Sequence, residues 1–199
     1  CKKTILGDAA QNVNPYSSTT ADDIRKALYK AEIMKLNKSY RSGYEITELA
    51  KSISGNSGID VVERHTEKPQ LIEVSSREAE DQLMREMIME VDVNNPTSTA
   101  YIFKLEKDAI AFFESLGELQ KRATLLVSGC QAFTNGIVVT TSHMAKGLEF
   151  DEVVIPSVTK ANYNDEMDKS LLYIACTRAM HRLKMIFCEE HTEFINNAL

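Results

Sequence analysis

Eleven residues, Thr140-Thr141-Ser142-His143-Met144-Ala145-Lys146-Gly147-Leu148-Glu149-Phe150, lie between two short apolar runs, Ile137-Val138-Val139 and Val153-Val154-Ile155-Pro156. Short runs rich in β-branched side chains read as buried strands. The stretch between them holds a glycine, a lysine, a histidine and several hydroxyls. A donor-rich loop joining buried strands is where ligand chemistry usually sits in an α/β fold.

The rest of the chain alternates in the same manner. Strands are expected at Thr4-Ile5-Leu6, Ile33-Met34-Lys35-Leu36, Leu71-Ile72-Glu73-Val74, 98–103, Leu125-Leu126-Val127 and 183–187, with a short one at Val61-Val62. Helices are expected over 20–30, over 45–53 behind a capping box Ser42-x-x-Glu45, and after a second box Ser75-x-x-Glu78. The second of these carries Ala79, Leu83, Met84, Met87, Ile88 and Val91 at helical spacing, the methionines serving as core filler. Asn94-Asn95-Pro96 breaks it. Further helices are expected over 106–116 and, after an Asn164-Asp165-Glu166 N-cap, through Leu171–Cys176. Residues 189–199 read as a terminal helix or tail. Alternation of strands and helices predicts a mainly parallel sheet covered on both faces.

Composition narrows the function classes. A length of 199 residues with 43% hydrophobic residues suits one large domain with a core of its own. No run approaches the ~18 apolar residues of a membrane span, and no secretory signal is visible. Cys1, Cys130, Cys176 and Cys188 lack CxxC spacing. They read as reduced thiols of a cytoplasmic protein, and no metal site is expected. A net charge of -6 argues against a protein that coats nucleic acid, while leaving room for a local basic groove. The opening at Cys1, running almost at once into an apolar strand, suggests a piece of a longer protein. No glycine is followed by Lys-Ser or Lys-Thr, so there is no phosphate-cradling P-loop, and nucleotide chemistry would need a partner domain.

Thr141-x-His143-x-x-Lys146-Gly147-Leu148-Glu149-Phe150 resembles motif V of superfamily-1 helicases of the UvrD/Rep type. Three more of that family's motifs follow in family order. Gly7-Asp8-x-x-Gln11 resembles motif III, with Tyr16 nearest to its downstream aromatic position. Tyr40-Arg41-Ser42 resembles motif IV, with Ser39 in place of Asn. Leu172-Tyr173-Ile174-Ala175-Cys176-Thr177-Arg178-Ala179 resembles motif VI. Thr99–Lys104 resembles the looser motif IVa. Only about twenty residues separate the helix ending near Leu116 from Ile137, which leaves no room for the accessory subdomain of UvrD and Rep. This points to the shorter helicase IV-like group.

The resemblance implies a RecA-like three-layer α/β/α domain, P-loop NTPase-like without the P-loop. By the same resemblance the chain is expected to be the second, C-terminal motor domain of an ATP-dependent DNA helicase, spanning 1–199. By resemblance Arg178 is the arginine finger, Arg41 contacts the γ-phosphate and Gln11 senses it. Tyr40 stacks on adenine, Glu149 bonds the ribose, and Lys146-Gly147 shapes the loop for close backbone approach. Thr141 and His143 face single-stranded DNA. Lys104 sits where the family touches a nucleic-acid backbone, although by residue type alone it reads as a solvated lysine. ATP with Mg2+ would be held mainly by a missing N-terminal RecA-like domain, and DNA repair is the implied setting. The alternative partner is RNA polymerase, which some helicase IV-like ATPases release. In a parallel sheet the loops at the carboxyl ends of the strands gather along one edge, and Gln11, Arg41, Glu149 and Arg178 are expected there.

Overall fold

The computed structural model describes residues 4, 21–28, 32, 34, 38–55, 60–61, 63–92, 97–129 and 136–198. Apart from Thr4 and Met34, the strands expected at 4–6 and 33–36 lie outside the described residues, as do Gln11 and Tyr16. In chain order the elements are α1 (Ala21–Ala27), β1 (Lys38–Ser39), α2 (Tyr44–Ser54), β2 (Asp60–Val61), β3 (Gln70–Glu73), α3 (Arg77–Glu90), β4 (Thr99–Phe103), α4 (Glu106–Ser115), β5 (Ala123–Leu126), β6 (Ile137–Thr141), β7 (Phe150–Ile155), α5 (Glu166–Cys176) and β8 (Ala179–Phe187). Short 3-10 turns occupy Gly117–Arg122 and Glu193–Ala198.

Among the described residues six strands form one sheet in the order β3-β8-β7-β4-β6-β5, and every pairing described in it is parallel. β1 and β2 form a separate parallel pair. The central strands are apolar throughout because both faces are covered. In β4, Ala100 and Ile102 join α2 and α5 in one core, while Tyr101 and Phe103 join α3 and α4 in the other. β7 divides likewise, Val153 and Ile155 against Val154. The result is the expected three-layer α/β/α arrangement. Among the described residues no helix is long and apolar enough to cross a membrane.

Two helix starts differ from expectation. The N-cap of α2 is Gly43, with no side-chain cap. Ser42 Oγ donates instead to Ala179 O at 2.6 Å, and Glu45 accepts from the Thr66 backbone N–H at 2.8 Å and pairs with His65 Nδ1 at 2.7 Å. Residues with capping chemistry are here used across the fold. The N-cap of α3 is Ser76, one residue beyond Ser75, with its hydroxyl accepting from Ala79 N. The N-cap of α5 is Asp165, as expected.

Beyond β7 the chain turns through Ser157 in the left-handed region, at φ 54°. This conformation is uncommon for a residue with a Cβ. The fully buried Glu80 of α3 holds it, accepting from Ser157 N at 2.5 Å and Ser157 Oγ at 2.8 Å and pairing with Arg77 at 2.9 Å. Burial pushes the Glu80 carboxyl up, and the Ser157 donors and Arg77 oppose the push. The thiol of Cys176, buried in α5, is pushed up to about 12 by burial.

The contacts of Glu45 make a pH-dependent prediction. The Thr66 backbone N–H first, and His65 second, hold its pKa down to about 2 from an ordinary 4.5. A depressed carboxylate contributes stability that is complete above about 4.5 and is lost as pH falls toward 2. Glu45→Gln should therefore be less stable than the parent at neutral pH, with the gap closing across that window. Denaturant midpoints at several pH values check this; a gap independent of pH would contradict it.

Candidate nucleotide and nucleic-acid site

The segment 142–149 decides where the candidate residues fall. β6 and β7 are both parallel to β4, which lies between them. The chain leaves the carboxyl end of β6 at Thr141 and must enter the amino end of β7 at Phe150. It therefore crosses the sheet, a distance of about 15 Å for a five-residue strand. Its first half belongs to one edge and its second half to the other. The expected single gathering at the carboxyl edge is corrected accordingly: Glu149 and Arg178 precede the first residues of β7 and β8, at the amino edge, where Phe150 pairs with Ala179. The reason lies in α5, which leads from the carboxyl end of β7 back to the amino end of β8. Its last turn delivers Thr177-Arg178 there.

At the amino edge, Arg41 Nε donates to Glu149 Oε1 at 2.5 Å, with the two side chains 36% and 45% exposed. Tyr40, next to Arg41, is 70% exposed. Arg178 is 1% exposed. Its Nε donates to Ile174 O at 3.1 Å, its Nη1 to Leu148 O at 3.2 Å and its Nη2 to Thr177 Oγ1 at 3.1 Å. Thr177 Oγ donates in turn to Ile174 O at 2.9 Å. A cation over the last carbonyls of a helix also meets the favourable end of its dipole. Arg41 and Arg178 thus reach adjacent residues, Glu149 and Leu148, of one loop. Gly147 turns that loop at φ 91°. A Cβ placed there would meet nothing within 4 Å, so within the chain the glycine serves backbone conformation and not close packing.

The arginine-bearing segments are stitched together further along. Gly43 N donates to Met180 O at 3.2 Å, and Arg64 Nη2 donates to Arg41 O at 2.9 Å and Met180 O at 3.4 Å. Arg64 belongs to none of the motifs. Its acceptors are main-chain carbonyls, which leave no mark in a sequence.

At the carboxyl edge, Lys104, Glu106, Ser128, Thr141, His143 and Met167 are among the residues lining a cleft of about 460 Å³. The three residues expected to face nucleic acid therefore share one surface. Thr141 is 3% exposed and accepts weakly from Met144 N at 3.4 Å, whereas His143 is exposed. Lys104 departs from its plain reading as a solvated lysine. Its side chain is 17% exposed, pairs with the buried Asp168 at 2.5 Å and donates to Asn162 O at 2.5 Å. It also lies 5.6 Å from the centre of the Tyr163 ring. Asn162 Nδ2 donates to Ser157 O at 2.9 Å, so this lysine is tied into the turn that Glu80 holds.

Residues 136–186 match the family described as UvrD-like helicase C-terminal domain. Among solved structures, the C-terminal domain of a possible DNA helicase from Lactobacillus plantarum WCFS1 is 28% identical, over 81% of this chain and 94% of that one, with a TM-score of 0.66. An arterivirus nonstructural protein 10 (helicase) in complex with DNA is 10% identical over 71% of this chain and 30% of that one, with a TM-score of 0.45. The C-terminal domain of the DEAD-box protein Dbp5 is 12% identical over 66% of this chain and 80% of that one, with a TM-score of 0.44. No curated protein matches the chain in sequence. The segment that carries Thr141, His143, Gly147, Glu149 and Arg178 is thus similar to the C-terminal domain of UvrD-like helicases, on a fold similar to that of a helicase C-terminal domain.

Proposed function

We propose that this chain is the second RecA-like motor domain of an ATP-dependent DNA helicase or translocase. In this reading it lends Arg41, Arg178, Tyr40 and Glu149 to ATP bound mainly by another domain. The observation that supports it best is the convergence of Arg41 and Arg178 on Leu148–Glu149, the far end of the segment that begins at Thr141 and His143.

The donor set fits the nucleotide. A half-exposed guanidinium suits phosphate oxygens, which it grips by charge-assisted bonds. A half-exposed carboxylate suits ribose hydroxyls, and an exposed phenol ring suits a base. ATP with Mg2+ supplies the phosphoryl group whose transfer to water is the energy source. Arg178 is 1% exposed, so in this reading it reaches that group only once Nη1 releases Leu148 O; held by α5 and Thr177, it then offers positive charge as charge builds on the group. Arg41 exchanges Glu149 for phosphate, freeing Glu149 for the ribose. A shift of Leu148–Glu149 is carried along 142–149 to Thr141 and His143, which face the nucleic acid. Gln11 would complete the link between the two sites.

In the intact protein, Arg178→Ala should lower kcat for ATP hydrolysis about a thousandfold, while ATP Kd moves by only a few fold. Unchanged turnover would remove Arg178 from the mechanism. Arg41→Ala should cost less than about 1 kcal/mol in stability, since its ion pair is half exposed, yet lower kcat about a hundredfold or more. Paired denaturation and turnover measurements separate the two effects. Strand separation by the intact protein supports the DNA reading, and ATP-dependent release of stalled RNA polymerase without strand separation would favour the other partner.

A further inference from the structure

Arg64 lies outside every motif, yet it bonds to both arginine-bearing segments. Its Nη2 donates to the carbonyls of Arg41 and Met180. Its own backbone is fixed in return, because Tyr44 N donates to Arg64 O at 2.8 Å. Two residues on, Thr66 donates to Glu45 through its backbone N–H and its hydroxyl, and His65 pairs with the other Glu45 oxygen. Gly43 lies so close beneath Thr66 that a Cβ there would fall 2.0 Å from its hydroxyl oxygen. Residues 64–66 are therefore a strap laid across 41–45.

The strap bears on geometry at the amino edge. Two bonds join 42–43 directly to the start of β8, from Ser42 Oγ to Ala179 O and from Gly43 N to Met180 O. Neither bond acts on Arg41 itself. Arg64 is the contact that holds the Arg41 peptide against the strand following Arg178. One guanidinium nitrogen that bonds the Arg41 carbonyl at 2.9 Å and, more weakly, the Met180 carbonyl at 3.4 Å restrains their separation, and with it the spacing of the two arginines. We propose that Arg64 is a positioning residue that sets the register of Arg41 against Arg178. The proposal rests on the reading of those two as phosphate-facing cations.

Arg64 is exposed, so its replacement leaves the core untouched. A misplacement of about 1 Å can cost a hundredfold in rate, and the loss falls on kcat because Arg64 does not itself meet nucleotide. The test uses the intact protein and three variants: Arg64→Ala, Arg64→Lys and Lys68→Ala. Lys68→Ala removes a neighbouring cation, two residues beyond the strap, without touching either carbonyl.

Two readouts are taken. In Arg64→Ala, hydrogen exchange at the Gly43 and Tyr44 amides should quicken about tenfold while the Tm holds. The kcat for ATP should fall about tenfold or more with KM within twofold. Arg64→Lys should lie between Arg64→Ala and the parent, and Lys68→Ala should match the parent. Exchange at Gly43 and Tyr44 unchanged in Arg64→Ala would overturn the proposal. So would quickened exchange with an undiminished kcat in a protein that hydrolyses ATP. Quickened exchange in a protein whose parent form hydrolyses no ATP would leave the strap standing and defeat the motor reading.

Discussion

The arrangement depends on one topological constraint: β4 lies between β6 and β7. Strands consecutive in sequence and parallel in space cannot be joined by a hairpin. Here the join runs from the carboxyl end of one to the amino end of the other in only eight residues, 142–149. Ala145 N and Leu148 N close successive turns onto Thr141 O and Ala145 O, and the Ala145 side chain is buried. The connection is therefore anchored in the core at Ser142 and Ala145, while His143, Lys146, Gly147 and Glu149 are exposed. A segment turned on its own hydrogen bonds and anchored at two buried points passes displacement better than a loose one, because the close-packed interior at those anchors has little room to absorb it.

Each edge of the sheet then has its own electrostatic character. At the amino edge, Arg178 is buried on oxygens of its own helix end and of Leu148, which makes it rigid, while Arg41 and Tyr40 remain accessible. At the carboxyl edge, the one cation among the three candidates is already matched. Lys104 pairs with Asp168 and is fastened through Asn162 to the Ser157 turn. Burying a charge without a partner is costly, and this pairing lets a lysine occupy a largely enclosed position. The cleft that Lys104 shares with Thr141 and His143 is correspondingly poor in unmatched positive charge, in keeping with the acidic net charge of the chain.

Much of the fold was legible in the sequence because its central strands are buried on both faces. Val138-Val139 and Val153-Val154-Ile155 could hardly be anything else, and Asp165 announced α5 with an acid at the right place. Ser42 and Glu45 misled for a physical reason. A hydroxyl and a carboxylate three apart suit a capping box, but the same groups serve tertiary contacts equally well, and spacing does not tell which. The edge was misjudged because strand order is non-local. Nothing within 137–155 reveals that β4 will insert between its two strands. Arg64 was invisible for a third reason, its partners being peptide carbonyls common to every residue type. The motif residues themselves were legible through resemblance, which named them without giving their orientation.

The Arg41–Glu149 pair has one further consequence. A phosphate arriving at Arg41 finds a guanidinium whose charge is already balanced by a carboxylate 2.5 Å away. Its gain is the difference between two anionic partners and not the whole of one attraction, so free phosphate or a lone anion has little advantage there. A molecule that offers a phosphate to Arg41 and hydroxyls to Glu149 together rewards both halves of the separated pair. On the proposed nucleotide reading, discrimination for a nucleoside phosphate over simple anions follows from the swap itself.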